Sequence, residues 1–290
     1  MEIRKIQTKN ILTKSTVHDG YTINPYRGCP HKCVYCYAEY MRNWTGHDDE
    51  RWGDYVDVKF WEPLTEKQKE KLHGAKVTLS SATDPYMDLE AEFGRTHEAL
   101  EELRGTEADI LVITKSCNVA WDAAILKELN ARVALSINTL DDRFRYDMDN
   151  ASSIPMRLAA LKALHDNGVY TVCFISPTFP GITDVPSIIE KVTGMCDEVW
   201  IEQLVLNYPY KSPILYYVKT KYPEFYPYYD RLYNQNDNSL WDEFDDYMAW
   251  WCSVHGFYYC HDDQPKVKHN RPIIVNQRGH KEFKERHRRR

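Results

Sequence analysis

Short apolar runs alternate with amphipathic stretches from about residue 76 onward. This alternation is typical of repeated βα units that build a parallel sheet. The apolar runs, with one more ahead of the first cysteines, predict strands at residues 21–23, 76–80, 109–114, 131–137, 169–175 and 198–204. The amphipathic stretches predict helices at residues 34–42, 95–104, 122–130, 156–167 and 186–193. Six such units are fewer than the eight of a closed barrel, so we expect an α/β fold, an incomplete (β/α)6 TIM-like barrel.

The C-terminal third of the chain carries a different pattern. Past residue 205 the periodicity weakens into a stretch rich in Tyr and Pro, and a further helix is predicted at residues 240–252. The chain ends in a basic tail at residues 281–290. We therefore expect a barrel core over residues 1–205 and a Tyr-rich C-terminal extension over residues 206–290 that covers the barrel mouth.

Composition narrows the class of protein. A chain of 290 residues that is 43% hydrophobic can bury a sizeable core. No apolar run approaches the roughly 18 residues that a membrane span needs, so we expect a cytoplasmic protein without membrane contact. Its eight cysteines then suit reduced thiols or metal ligands better than disulfides. The net charge of −6 argues against coating nucleic acid by bulk electrostatics but leaves a local basic groove open, and the oligomeric state is undetermined.

Three cysteines stand close together in the segment NPYRGCPHKCVYCYA, directly after the first predicted strand. Cys29, Cys33 and Cys36 are separated by three and then two residues, a spacing that lets one tight loop wrap three corners of an iron–sulfur cubane. Four cysteines are the usual ligands of such clusters, so the missing fourth would leave one iron open to another ligand. The alternative is a zinc site, for which only His31 is nearby as a fourth ligand.

The same segment carries a family resemblance. Its CxxxCxxC spacing, with an aromatic residue before the last cysteine, resembles the radical SAM superfamily, and the string INPYRGCPHKCVYCYA resembles the spore photoproduct lyase-like branch. The resemblance implies that Cys29, Cys33 and Cys36 hold a [4Fe–4S] cluster whose open iron binds S-adenosylmethionine (SAM). It also implies reductive cleavage of SAM to a 5′-deoxyadenosyl radical, with an electron donor such as flavodoxin or ferredoxin as a partner.

Further segments that resemble this branch lie at predicted strand ends, where barrel active sites form. They are SSATDPYMDLE, TKS, SINT and PTFPG, which begin at residues 80, 114, 136 and 177. The resemblance implies that Lys115 pairs with the SAM carboxylate and that Tyr35 contacts the adenine. It assigns the other cofactor contacts to Ser80, Ser81 and Thr83 near the methionine moiety, Ser136 and Asn138 at the ribose, and Arg157. Taken singly, the serines and the asparagine are typical turn or cap residues, and their shared position at strand ends favours a ligand role.

The hydrogen donors of the lyase are only partly present. In that family the mechanism returns a hydrogen through a cysteine in the second-strand loop and a tyrosine beside the cluster. The tyrosine is present as Tyr37, but the matching loop reads SSATD and contains no cysteine, so authentic repair of the thymine dimer is not expected. Cys117 is a candidate substitute donor, with an inert packing thiol as the alternative. Cys173 and Cys196 are interpreted as packing residues.

A second metal site late in the chain is not expected. Cys252, His255, Cys260 and His261 match no standard zinc or cluster spacing.

The leading hypothesis is hydrogen abstraction from an organic substrate, with a nucleobase or nucleic acid favoured by the family resemblance. A base would stack on Tyr208, Tyr210 or Tyr86, because aromatic faces suit any base. One alternative is radical modification of a peptide or protein, against which stands the lack of a second cysteine-rich domain. Another is a non-catalytic iron–sulfur protein that only transfers electrons, and such a protein would have no use for SAM-binding residues.

Overall fold

The computed structural model describes residues 1–15, 20–206, 209–260 and 271–288. Its strands are β1 (Glu2–Thr8), β2 (Leu12–Lys14), β3 (Tyr21–Ile23), β4 (Tyr26–Arg27), β5 (Tyr55–Trp61), β6 (Lys76–Leu79), β7 (Asp109–Thr114), β8 (Arg132–Ser136), β9 (Tyr170–Thr178), β10 (Glu198–Gln203), β11 (Tyr258–Tyr259) and β12 (Arg271–Ile274). The helices are α1 (Glu66–Glu70), α2 (Glu90–Phe93), α3 (Arg95–Glu102), α4 (Ala123–Glu128), α5 (Asp142–Met148), α6 (Ile154–Asp166), α7 (Val185–Val192), α8 (Lys211–Lys221), α9 (Tyr226–Tyr233), α10 (Ser239–His255) and α11 (Gln277–Arg288). Two 3-10 helices lie at Tyr37–Trp44 and Cys117–Asp122.

A mixed sheet of nine strands forms the centre, in the order β11-β12-β10-β9-β8-β7-β6-β3-β2. The six strands from β10 to β3 are mutually parallel and neighbour one another in chain order. They correspond to the six predicted strands, which confirms the α/β class. Antiparallel strands flank them, with β2 at one edge and β12 and β11 at the other. The sequence predicted a purely parallel sheet and missed these edge strands. The observed sheet is therefore mixed.

A second, smaller sheet was also missed. It has the order β1-β5-β4, with β1 parallel to β5 and β4 antiparallel to it. Because its strands are far apart in the chain and alternate irregularly in burial, no local pattern reveals their pairing. This sheet places β5 beneath the cysteine loop.

Two predicted helices need correction. Residues 34–42 do not form an α-helix, because Val34 N donates to Met148 O at 2.9 Å and Cys36 N donates to Cys33 O at 3.0 Å. A 3-10 helix begins only after the last cysteine, at Tyr37. The helix predicted at 122–130 is preceded by a 3-10 helix and is α-helical only over Ala123–Glu128.

The main core is built from one face of the parallel strands and the helices that cover it, and the side chains on the other face of β7 to β10 form a separate, smaller cluster. Fully buried side chains such as Val112, Val133 and Leu161 belong to the main core, and each contributes about 1.5–3 kcal/mol relative to exposure. Cys173 and Cys196 are fully buried in the same cluster, as expected of packing thiols.

The C-terminal region contributes to two separate clusters. Helix α10 and strand β12 pack into the main core through Met248, Trp251 and Ile273. Helices α8 and α9 form a second cluster that also contains Phe179 and, at its margin, Tyr35. The division of the chain at residue 205 stays a prediction. In the described ranges, no helix is long and apolar enough to cross a membrane.

The C-terminal helix is fastened to the sheet by one buried carboxylate. Asp197, just before β10, accepts hydrogen bonds from Arg278 Nε at 2.6 Å, Thr171 N at 2.9 Å and Asn276 Nδ2 at 3.0 Å. Burial alone would raise the pKa of Asp197, but Arg278 and the other donors outweigh it and hold that pKa below its ordinary value.

The substitution Asp197→Asn should destabilise the protein by about 3 kcal/mol at neutral pH, because it breaks a buried ion pair. The native carboxylate has a depressed pKa, so its contribution is full above about pH 4 and disappears as the pH falls through the folded-state value. Urea unfolding of the parent and of Asp197→Asn, at pH 7 and at pH 3.5 or below, measures the free energy of unfolding. The difference between the two proteins should be smaller in acid.

The matched control is Asp166→Asn. Asp166 pairs with Lys162 at 2.6 Å on a half-exposed helix face, where loss of the pair should cost about 0–1 kcal/mol. Equal losses for the two variants would contradict the role assigned to Asp197.

Candidate active site

The three predicted cluster ligands lie on one loop that follows β4. Cys29 is buried, Cys33 and Cys36 are half-buried, and all three thiols are free. The loop passes directly over β5, where a Cβ at Gly28 would stand 2.3 Å from Tyr55 O. With a φ of +86°, this position requires glycine for both reasons. The close approach fixes how deeply the cysteines sit.

Two of the three thiols, those of Cys33 and Cys36, resist ionisation in the absence of a metal. Burial raises the pKa of Cys33, and it raises the pKa of Cys36 to about 12. A coordinated metal deprotonates such thiols outright. Among the described residues, no three His, Cys, Asp or Glu side chains meet as ligands of one ion. A [4Fe–4S] cluster presents a separate iron to each thiolate, so its ligands need not meet at one point, and the three cysteines fit it as donors.

The carboxylate of Asp84 joins the cysteine loop to two strand ends. It accepts hydrogen bonds from Tyr86 N at 2.9 Å, Thr114 Oγ1 at 2.7 Å and Lys115 N at 2.7 Å. The Oδ2 atom that accepts from Lys115 N also lies 3.4 Å from His31 Nδ1. Burial would raise the pKa of Asp84, but the charge of His31 and these hydrogen bonds hold that pKa below its ordinary value. His31 therefore lies between Asp84 and Cys29 and interacts with both.

Lys115 lies at the centre of the strand ends. Its ammonium donates to Ser136 Oγ at 2.7 Å and to Ser176 O at 3.1 Å, and it lies 5.4 Å from the centre of the Tyr35 ring. Ser136 Oγ donates in turn to Ser176 O at 3.0 Å, and Ser176 Oγ donates to the carboxylate of Glu202. The network links β7, β8, β9 and β10 to the aromatic residue between the last two cysteines. Three of the predicted cofactor residues, Lys115, Ser136 and Tyr35, are thus brought together.

Ser80 has a strained backbone and an unsatisfied hydroxyl. Its φ is +62°, in the left-handed region, and the residue is only 4% exposed. The Oγ is buried and has no hydrogen-bond partner among the described residues. Strain and an unpaired polar atom together are typical of a binding position, where a ligand completes the contacts.

Ser81 and Thr83 tie the same loop to the cysteine loop. Asn24 Oδ1 accepts from Ser81 N at 3.0 Å, and Thr83 Oγ1 donates to Gly28 O at 2.6 Å. The Thr83 hydroxyl is therefore already used within the protein.

Arg157 is fully buried and fully engaged. It donates to Ser152 O at 2.7 Å, to Ser136 O at 3.1 Å and to Asp149 Oδ1 at 2.5 Å. The other oxygen of Asp149 accepts from Tyr35 Oη at 3.3 Å. Arg157 thus holds Ser136 and, through Asp149, Tyr35.

Asn138 is also buried and bonded within the protein. Its Nδ2 donates to Pro177 O at 3.1 Å, and its main-chain carbonyl accepts from Thr183 Oγ1 at 3.1 Å. The side-chain oxygen of Asn138 is the atom left to contact a ligand.

The two predicted hydrogen donors lie in different surroundings. Tyr37 is 59% exposed, and its hydroxyl donates to the carbonyl of Ser81 beside the strand ends. Cys117 N donates to Ser152 Oγ at 2.9 Å, and its thiol faces Asn118 and the main core. The arrangement joins Tyr37, and not Cys117, to the loop that contains Ser80.

Two of the three predicted stacking tyrosines are buried and offer no surface to a base. Tyr86 is fully buried, and its hydroxyl donates to Asp122 at 2.9 Å, so its predicted stacking role is wrong. Tyr210 is buried in the cluster around α8 and α9, and Tyr208 lies outside the described residues.

No second metal site is seen among the described late residues. Cys252 is buried in the main core, and His255 Nδ1 contacts Trp251 O at 2.8 Å. His261 lies outside the described residues.

Several polar residues of the site were missed by sequence reasoning: Asn24, Asp84, Asp149, Ser176 and Glu202. Asn24 and Asp84 each precede a proline in the quoted motifs, a turn signal that could have singled them out. The others depend on partners far away in the chain and carry no local signal.

Comparison with known proteins identifies the family. Residues 23–191 match the Radical SAM superfamily. The chain belongs to this superfamily. It is therefore a radical SAM enzyme, and the family implies a [4Fe–4S] cluster and SAM as its cofactors. The alternative of a non-catalytic electron carrier is set aside by this membership.

Relatives occur in archaea, bacteria and phages. An uncharacterized protein of Methanocaldococcus jannaschii, MJ0683, is 32% identical over 229 residues, which are 78% of this chain and 86% of the relative. An uncharacterized protein of Mycobacterium tuberculosis, Rv2578c, is 26% identical over 186 residues, and the match spans about half (54%) of its length. The radical SAM Nα-GlyT isomerase of Pseudomonas phage M6 is 24% identical over 178 residues, which are 59% of this chain and 36% of the isomerase.

Solved structures of spore photoproduct lyase share the fold. The lyase complexed with dinucleoside spore photoproduct superimposes with a TM-score of 0.53 at 16% identity, covering 99% of this chain and 78% of the lyase. A double mutant of the lyase with bound AdoMet and dinucleoside spore photoproduct gives 0.52 at 14% identity, with the same coverage. The likeness supports an α/β fold with a mixed sheet, like that of the lyase.

The substitution Ser80→Gly should separate stability from cofactor binding. Glycine relieves the left-handed strain and removes the unsatisfied hydroxyl, so the cofactor-free protein should gain about 1 kcal/mol. The same change should weaken SAM binding, measured by equilibrium dialysis of the reconstituted protein.

The control is Glu107→Gly, which changes an exposed loop residue with a φ of +52°. It should relieve similar strain and leave SAM binding unchanged. Equal SAM affinity of both variants and the parent would contradict a ligand role for Ser80.

Proposed function

We propose that this radical SAM enzyme abstracts hydrogen from a nucleobase, either in a nucleoside or in a nucleic acid. The cluster is held by Cys29, Cys33 and Cys36, and SAM lies between this loop and the strand ends around Lys115. The contacts of the Lys115 ammonium with Ser136, Ser176 and the Tyr35 ring support this SAM site, because they hold a cation near Cys33 and Cys36.

The bound cofactors supply the reactive step, a 5′-deoxyadenosyl radical made by one-electron cleavage of SAM. The chain's own residues bind SAM and orient it. Two of the three ammonium donors of Lys115 are used by Ser136 and Ser176, which leaves one for the SAM carboxylate. The hydroxyl of Ser80 supplies a further contact, and the Tyr35 ring offers a flat face for the adenine. Arg157 acts as a positioning residue through Ser136 and Asp149.

We also propose that the six parallel strands curve into a partial barrel whose mouth is covered by the C-terminal region. The cluster of α8 and α9 supports this, since it includes Phe179 after β9 and touches Tyr35. Such a cover would exclude water from the radical. A small electron-transfer protein such as flavodoxin or ferredoxin would supply the electron.

The substrate class rests on the relatives and on one exposed ring. The phage relative is named for isomerisation of Nα-GlyT, and the lyase structures hold a dinucleoside photoproduct. Tyr37 lies 59% exposed next to the strand ends and can stack on a base. Because the loop at residues 80–84 has no cysteine, the reaction differs from spore photoproduct repair. Tyr37 is better placed than Cys117 to act on the substrate radical.

Alanine in place of Cys29, Cys33 or Cys36 should remove most of the iron, because each thiolate holds one corner of the cluster. After anaerobic reconstitution, the parent protein should hold about four irons per chain. The control is Cys260→Ala, at a half-buried cysteine outside the loop, which should keep its iron. Full iron content in a loop variant would contradict the ligand assignment.

Hydrogen abstraction from a base can be followed by isotope transfer. The reconstituted enzyme is reduced with dithionite and mixed with SAM and a deuterated substrate. The substrates are nucleosides and DNA whose pyrimidines are either unmodified or amino-substituted. Deuterium should appear in 5′-deoxyadenosine, detected by mass spectrometry. A parallel set of deuterated peptides serves as the contrast, and transfer from peptides alone would contradict the substrate class.

A further inference from the structure

Trp52 lies against the cysteine loop although it is outside the cysteine motif. Its side chain is 9% exposed and belongs to a small buried cluster with Cys29 and Tyr55, against which Cys36 also packs. The Trp52 ring meets the Tyr55 ring edge to face, with centroids 6.0 Å apart.

The two residues after Trp52 also contact the cysteine loop. A Cβ at Gly53 would stand 3.1 Å from Cys29 O and 2.4 Å from Lys32 Cγ, so this residue must be small for the segments to touch. Asp54 forms an ion pair with Lys32, which lies between the first two cysteines. Three successive residues, Trp52 to Asp54, therefore press on the loop, and the position of the indole is well defined.

The indole nitrogen of Trp52 has no partner among the described residues. Nε1 is buried, and no acceptor meets it in hydrogen-bonding geometry. An indole N–H can only donate, and a buried donor without an acceptor is costly. The Cys36 side chain packs on the same cluster as Trp52, within reach of this N–H. A neutral thiol accepts a hydrogen bond only weakly, whereas a cysteine sulfur that binds iron is a thiolate and a strong acceptor.

We propose that the indole N–H of Trp52 donates a hydrogen bond to the Cys36 sulfur once the cluster is bound, and thereby raises the cluster's reduction potential. The inference rests on the proposed cluster site. Hydrogen bonds to the sulfurs are among the factors that set the potential of an iron–sulfur cluster, because a donor stabilises the more negative, reduced state. Trp52 is a positioning residue in this sense and touches no reacting atom of the substrate.

The test compares Trp52→Phe with Trp44→Phe in the reconstituted protein. Phenylalanine keeps an aromatic ring but removes the N–H, and Trp44 is an 80% exposed tryptophan on the nearby 3-10 helix. In a redox titration followed by electron paramagnetic resonance, Trp52→Phe should move the midpoint potential to a more negative value, and Trp44→Phe should leave it unchanged. An unchanged potential in Trp52→Phe with full iron content would overturn the proposal.

A second measurement needs no variant at position 52. The parent protein and Trp44→Phe are labelled with ¹⁵N in the indole rings, and pulsed electron paramagnetic resonance of the reduced cluster is recorded. Both should show a ¹⁵N coupling, and its absence from a protein that holds the cluster would overturn the proposal even if Trp52→Phe fails to fold. A parent protein that takes up no cluster would overturn the proposed function as well, so the two failures are distinguishable by iron content.

Discussion

The buried carboxylate of Asp84 is the contact on which the rest of the site depends. At the end of a parallel strand, backbone N–H groups need partners outside the sheet. The cysteine loop has no regular secondary structure that would hold it in place. Asp84 satisfies both needs, since it accepts from the backbone of Lys115 and the hydroxyl of Thr114 and faces His31 across a 3.4 Å gap. The cysteines and the Lys115 backbone are thereby fixed relative to one another.

A second buried carboxylate repeats this arrangement on the other side of the site. Asp149 binds the guanidinium of Arg157 and the hydroxyl of Tyr35, while Arg157 holds the Ser136 carbonyl. Both carboxylates are paired with cations and hydrogen-bond donors, as buried charges must be. Tyr35 and Ser136, which we propose as cofactor contacts, are therefore held by a rigid polar network, which is the condition for orienting a reactive ligand.

The parallel strands could be predicted because they are buried on both faces and so form continuous apolar runs. The cysteine loop could be predicted because its spacing is local. The buried carboxylates that support the site could not be predicted, since Asp149 contacts Tyr35 although more than a hundred residues separate them in the chain. Trp52 was missed for the same reason, as its place against Cys29 follows from the pairing of β5 with β1 and β4. Tyr86 shows the opposite error, because a tyrosine in a family-like loop proved to be a buried core residue.

We infer that this chain holds SAM against a cluster on the cysteine loop and cleaves it. The most direct measurement is anaerobic reconstitution with iron and sulfide, reduction with dithionite in the presence of SAM, and chromatography for 5′-deoxyadenosine. We expect 5′-deoxyadenosine to form, and we expect its formation to require the loop cysteines. A fully loaded, reduced protein that leaves SAM intact, with or without nucleoside and DNA substrates, would contradict this inference.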